Sequence, residues 1–229
     1  MTSKLISSRT EATYRRLHAY VLGAHVKPDG KLKIADLSRS MTVSASVVRE
    51  ALSRLVSEGL VVAEPQRGFR VAPFAISEVN HLFEARIEIE RLCLSDAVEN
   101  ADLAWEGRLL AALHELGRTP EERGQRSGEV SSEWLTAHAQ FHSALVSSCR
   151  NSWYLKMRAN LYLHSERFRA LALQLPTADR DLHAEHEQIA HAAIARDVQS
   201  ACALMTVHLK RTINDLVWES QDGTAIQAS

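Results

Sequence analysis

Two short runs of β-forming residues, Val61 to Glu64 and Phe69 to Ala72, interrupt a chain whose apolar residues otherwise recur at helical spacing. Pro65-Gln66-Arg67-Gly68 lies between them, so one small hairpin is the economical outcome and the fold is mainly α. Upstream, Tyr14, Leu17, Val21 and Leu22 mark a helix that "KPDG" at Lys27 to Gly30 brings to an end. A short helix over about Ile34 to Ser40 follows, with Ile34, Leu37 and Met41 turned inward. The segment "SVVREALSRLVSEGL" then gathers Val47, Val48, Ala51, Leu52, Leu55 and Val56 on one face and leaves Ser46, Arg49, Ser53 and Arg54 off it. Ser44 or Ser46 can cap its start, and Gly59 supplies its stop. Helix, tight turn, amphipathic helix with cationic outer residues and hairpin, in that order, describe a winged helix-turn-helix. Arg67 would sit at the wing tip beside Gly68, whose missing side chain lets backbone approach a phosphate or a minor groove.

Charge divides the chain at the same place. Residues 1–75 hold 12 Lys plus Arg against 6 Asp plus Glu, whereas residues 76–229 hold 15 against 22. A basic module beside an acidic one implies that the first meets a polyanion, here double-stranded DNA, while the second does something else. Apolar runs fall far short of the roughly 18 residues that span a bilayer, and the N-terminus lacks the apolar core of a signal peptide. A soluble, cytoplasmic protein with no membrane partner is expected. Cys93, Cys149 and Cys202 are odd in number and set in apolar helical patterns, so buried thiols are expected rather than a redox pair.

The acidic half reads as an all-α bundle of about six helices. Ser77 is placed as the cap of a helix reaching to about Asn100, with Val79, Leu82, Phe83, Ile89, Cys93 and Ala97 as its buried stripe. Arg86 lies on that stripe, with Glu90 one turn later. A cation facing a core needs a partner: either an internal Arg86–Glu90 ion pair, or a ligand carboxylate meeting Arg86 in a cavity. Further helices are expected over about 102–116, 131–149, 152–174, 179–195 and 197–219.

"HAQFH", residues 138 to 142, puts two imidazoles one turn apart on the face marked by Trp134, Phe141, Leu145 and Cys149. His186 fills the inward position between Leu182, Ile189 and Ala193, and His208 does the same among Ala201, Met205 and Thr212. Four unpaired buried imidazoles would each require a hydrogen-bond partner; one shared divalent metal satisfies all four. Zn is the first expectation for such nitrogen ligands, with Ni or another transition metal as the alternative. His183, one turn before His186, is placed behind the ligands or in a cavity wall; His81, His114, His164 and His191 show no comparable grouping.

"PDGKL", "DLSRSMTVSASVVREALSRLVSEGLV" and "PQRGFRV" resemble the winged-helix domain of the GntR family of bacterial transcription regulators over residues 10–73. The resemblance implies DNA contacts from Ser44, Ser46, Arg49, Arg67 and Gly68, to which the outer face of the same helix adds Arg54. Ala45 and Ala35 stand where relatives carry Arg, which alters base readout more than affinity, since phosphate neutralisation is spread over many cations. "RIEIE", "HAQFH", "RN", "EHEQIAHAAIARD" and "HLK" likewise resemble the FCD effector domain of the FadR-type subfamily, over residues 77–217. Many FCD domains bind a metal through one Asp and three His; His142, His186 and His208 correspond to the three, and His138 takes the place of the Asp. The resemblance also makes Arg86 a carboxylate clamp for a small organic acid, and repression relieved by ligand the expected sign.

Two domains are therefore expected, 1–75 for DNA and 76–229 for effector binding and dimerisation, in a homodimer facing an imperfect palindrome. A metal-dependent enzyme acting on small carboxylates and an effector-free architectural DNA-binding protein are the alternatives. A catalytic bundle gains nothing from a winged helix, whereas a sensor requires an output device.

Overall fold

The computed structural model describes residues 2–23, 25–73, 76–120, 131–172 and 180–221. They form two compact units that divide after residue 75.

The first unit contains α1 (Thr2–Leu22), β1 (Lys31–Leu32), α2 (Ile34–Met41), α3 (Ala45–Ser57), β2 (Val61–Glu64) and β3 (Gly68–Val71). Val48, Ala51, Leu52 and Leu55 of α3 are buried, the spacing of one helical face, and α3 packs against α1 through Leu17 and Val21. The start of α3 is capped by Ser44, whose Oγ accepts from the Val47 N–H at 3.5 Å. Its end closes as Gly59 turns to a φ of 71°, with the Leu60 N–H donating to the Leu55 carbonyl and the Gly59 N–H to the Val56 carbonyl, each at 3.0 Å. The hairpin is joined by a third strand that the sequence did not signal: β1 pairs antiparallel with β3, Lys31 opposite Arg70 and Leu32 opposite Phe69. Two residues are too few to show an alternating pattern.

The second unit contains α4 (Ile76–Glu99), α5 (Leu103–Arg118), α6 (Ser132–Leu145), α7 (Ser152–Ala172), α8 (Leu182–Ile194) and α9 (Val198–Gln221). Six helices and no strand are found here among the described residues. Ser77, expected as the cap of α4, instead lies within its first turn, because the helix already starts at Ile76. The expected end of α6 at 149 also moves, to Leu145, followed by turns. Helix α4 packs on α7 and α9, α5 on α6, and α8 on α9. Cys93, Leu94, Trp105, Leu109, Phe141, Leu145, Ile189 and Met205 are fully enclosed between them. Cys93, Cys149 and Cys202 are buried free thiols. None of the described helices is long and apolar enough to cross a membrane.

Candidate functional site

Three helices aim histidines at one point. On α6, whose Ser131 cap accepts from the Trp134 N–H at 3.1 Å, His138 and His142 follow Trp134 down the buried face. On α8, capped by Asp181, His186 shares the inward face with Ile189 and Ala193. On α9, His208 lies one turn after the fully buried Met205. The four rings are between 0% and 4% exposed, and one nitrogen from each falls within 4.8 Å of the others. The His138 and His142 Nε2 atoms stand 3.2 Å apart.

These residues fit a shared cation. Tetrahedral Zn–N bonds of about 2.0–2.1 Å put ligand nitrogens roughly 3.3–3.4 Å apart, close to the separation within "HAQFH". Two facing Nε2 atoms can share only one proton between them, and His142 Nδ1 is buried with no hydrogen-bond partner. Electrostatics favour the lone-pair form. Burial first, then the neighbouring His208, His186, Arg86 and Arg158, hold the His142 imidazole well below its ordinary value. His208 is lowered by burial as well, against an opposing hydrogen bond to Glu185.

That hydrogen bond joins a cluster which the sequence did not reveal. The His208 Nδ1–H donates to Glu185 Oε2 at 2.8 Å, and Arg180 and Arg211 also converge on the Glu185 carboxylate. Burial alone would raise the Glu185 carboxyl, but the hydrogen bonds from His208, Arg180 and Arg211 outweigh it and hold it far below the usual range. Only its place beside His186 in "EHEQ" could have drawn notice to Glu185. His183 does not support the ligands: it lies exposed, 3.3 Å from Glu187.

Arg86 is buried, as expected, but Glu90 is not its ion-pair partner. Glu90 Oε1 accepts from Arg158 Nε at 2.8 Å, and Arg158 Nη2 donates to the His142 carbonyl at 2.7 Å. That carbonyl belongs to the last turn of α6, where helix carbonyls lack intrahelical donors. Arg86 instead donates from Nη1 to Ser165 Oγ, lies over the Tyr162 ring at 4.8 Å, and leaves its Nε without a hydrogen bond. Its charge reaches both His142 and His208.

In the first unit, Ser44, Ser46, Arg49, Arg67 and Gly68 are all exposed. Ser44 and Ser46 lie at the start of α3, their hydroxyls 2.9 Å apart, and Ser44 lines an open groove of about 540 Å³ together with Arg9, Arg39 and Thr42. Gly68 adopts a φ of 95° at the wing tip, with nothing within 4 Å of where a Cβ would stand. Arg54, also expected at the DNA surface, is exposed. It donates to Glu11 at 2.7 Å and stacks over Tyr14 at 3.7 Å, so its guanidinium ties α3 to α1.

Residues 81–211 match the FCD domain, and residues 9–71 match the bacterial regulatory proteins of the gntR family. The chain belongs to the GntR family of bacterial transcriptional regulators and carries an FCD domain. This GntR-family regulator is 34% identical over 209 residues, 91% of the chain and 85% of the relative, to the uncharacterized HTH-type transcriptional regulator BphR of Paraburkholderia xenovorans. It is 32% identical over 200 residues, 86% of the chain and 90% of the relative, to the HTH-type transcriptional repressor GlaR of Escherichia coli. In fold it resembles McbR/YncC of Escherichia coli, with a TM-score of 0.75 at 20% identity over 92% of this chain and 98% of that one. These relatives are regulators, not enzymes, and regulators of the GntR family bind double-stranded DNA.

Proposed function

We propose that this GntR-family regulator is a cytoplasmic, metal-dependent repressor whose grip on DNA responds to a small carboxylate. The unit of residues 1–75 reads an imperfect palindrome within a homodimer, using Ser44, Ser46 and Arg49 at the start of α3 and Arg67 and Gly68 at the wing tip. Arg54, exposed on the same helix and braced by Glu11, belongs to that surface as well. The unit of residues 76–229 holds a divalent metal on His138, His142, His186 and His208 and receives the effector carboxylate at Arg86.

The convergence of four buried histidine nitrogens within 4.8 Å carries this reading. All donors are nitrogen, and no carboxylate oxygen belongs to the set, which favours Zn, or Ni, over oxygen-seeking Mg, Ca or Mn. When bound, the metal would join α6, α8 and α9 at one point and add positive charge beside Arg86. Arg86 supports the effector assignment because its buried guanidinium keeps one N–H unsatisfied. Repression is supported by the relative GlaR, itself a transcriptional repressor. The effector shifts the regulator only as far as it prefers one helix arrangement over the other.

Metal analysis of the purified chain tests the centre. About one Zn per chain is expected, with His142→Ala and His186→Ala each losing it; unchanged content in the variants would remove the centre. A thermal-shift screen of small carboxylates, run with and without chelator and repeated on Arg86→Ala, tests the effector site. A stabilising acid that acts equally on the variant would exclude Arg86.

A further inference from the structure

We infer that Glu185 is a positioning residue of the histidine centre: its carboxylate accepts a hydrogen bond from the Nδ1–H of His208 and thereby fixes that ring with Nε2 as its ligand atom. The inference rests on the metal reading above and concerns only how one ligand is held. Helix α8 serves the centre twice. His186 enters it directly, while Glu185, one residue earlier and about 100° around the helix, reaches across to α9. Its side chain is 11% exposed, and the His208 Nδ1 contact is 2.8 Å.

Glu185 is itself held from both oxygens. Arg180 donates from Nε to Oε1 at 3.1 Å and from Nη2 to Oε2 at 2.9 Å, and Arg211 Nη1 donates to Oε1 at 2.8 Å. Arg180 also donates to the His208 backbone carbonyl at 3.0 Å, so one guanidinium braces the carboxylate and the ligand residue together. With Nδ1 committed, Nε2 is the nitrogen left for the cluster. An imidazole that donates from one nitrogen to a carboxylate is oriented and is a stronger donor through the other, and removing such a support costs about 10–100-fold in metal affinity.

The competing account is that Glu185 merely latches α8 to α9. Full-length protein, stripped with chelator and titrated with Zn against a chromophoric chelator, separates the two. Glu185→Gln should weaken Zn binding by about 10–100-fold. Arg211→Ala, which removes one tie between Glu185 and α9 without touching His208, should stay within about threefold. In a His208→Ala background, adding Glu185→Gln should change affinity by less than about threefold, since coupled residues are not additive. Wild-type affinity in Glu185→Gln, or the full loss persisting in the His208→Ala background, would overturn the assignment. Wild-type protein that takes up no Zn would remove the centre itself, a different result from a tight centre indifferent to Glu185.

Discussion

Replacing Arg158 by Met should destabilise the second unit by about 3–5 kcal/mol, the usual cost of stranding one member of a buried ion pair. The magnitude follows from what the guanidinium touches. It supplies one hydrogen bond to Glu90 Oε1 at 2.8 Å and another to the His142 carbonyl at 2.7 Å, and bonds involving charged groups contribute about 1.5–3 kcal/mol each. Glu90 is fully enclosed, and its Oε2 already lacks a partner, so the variant leaves a carboxylate with no donor at all. Methionine preserves the aliphatic length, which limits any cavity contribution. The assay is denaturant unfolding in chelator followed by tryptophan emission, because Trp105, Trp134, Trp153 and Trp218 all lie beyond residue 75 and report this unit alone. A loss of about 4 kcal/mol lowers the folding equilibrium roughly a thousandfold. Adding Glu90→Gln should recover the larger part, since the stranded charge is then gone. A single-variant loss below about 1 kcal/mol, typical of exposed pairs, or a double variant no more stable than the single, would refute this account.

Arg49→Ala and Arg67→Ala should each weaken binding to a DNA site selected from a random library while leaving the circular dichroism unchanged; a variant that loses only a phosphate contact should also reduce the salt slope by about one unit. Without metal, the second unit should lose stability as pH falls below about 6.5. Burial holds His142 and His208 below their ordinary value, so the unfolded chain takes up those protons first; stability is full above that pH and declines by up to about 1.4 kcal/mol per unit for each group. Unfolding midpoints at pH 7.5 and 5.5, compared with those of His142→Gln, check the sign. Asp102→Ala should cost about 1 kcal/mol, because Asp102 caps α5 through the Trp105 N–H at 2.7 Å; an unchanged midpoint would mean that water replaces the cap.

The parts of this fold that were legible in the sequence depend on period. A helix returns every fourth residue to one face, so His138 and His142 on α6, and His186 and His208 on theirs, could be aimed inward before any tertiary structure was known. The same holds for the buried stripe of α3 and its glycine stop. Partners distant in sequence were not legible. Arg86 and Glu90 are one turn apart and looked like a pair, yet Glu90 selects Arg158, 68 residues away, because α7 packs across α4 there. Glu185 carries no such signal because its partner, His208, lies on another helix, and helical spacing says nothing of what crosses between helices. His183 misled for the opposite reason: three residues from His186 is close to one turn, but at the first turn of α8 that position is open to solvent.

Pinning His142 from two sides has a consequence for anyone who would retarget the centre. Its ring enters the cluster while its carbonyl accepts from Arg158, so a shift of α6 toward a larger or smaller ion would have to break that bond. If the proposed metal is bound there, a change of its identity would have to come from swapping donor atoms on that frame. Position 138, one turn from His142 on the same buried face of α6, is the natural place to make the exchange.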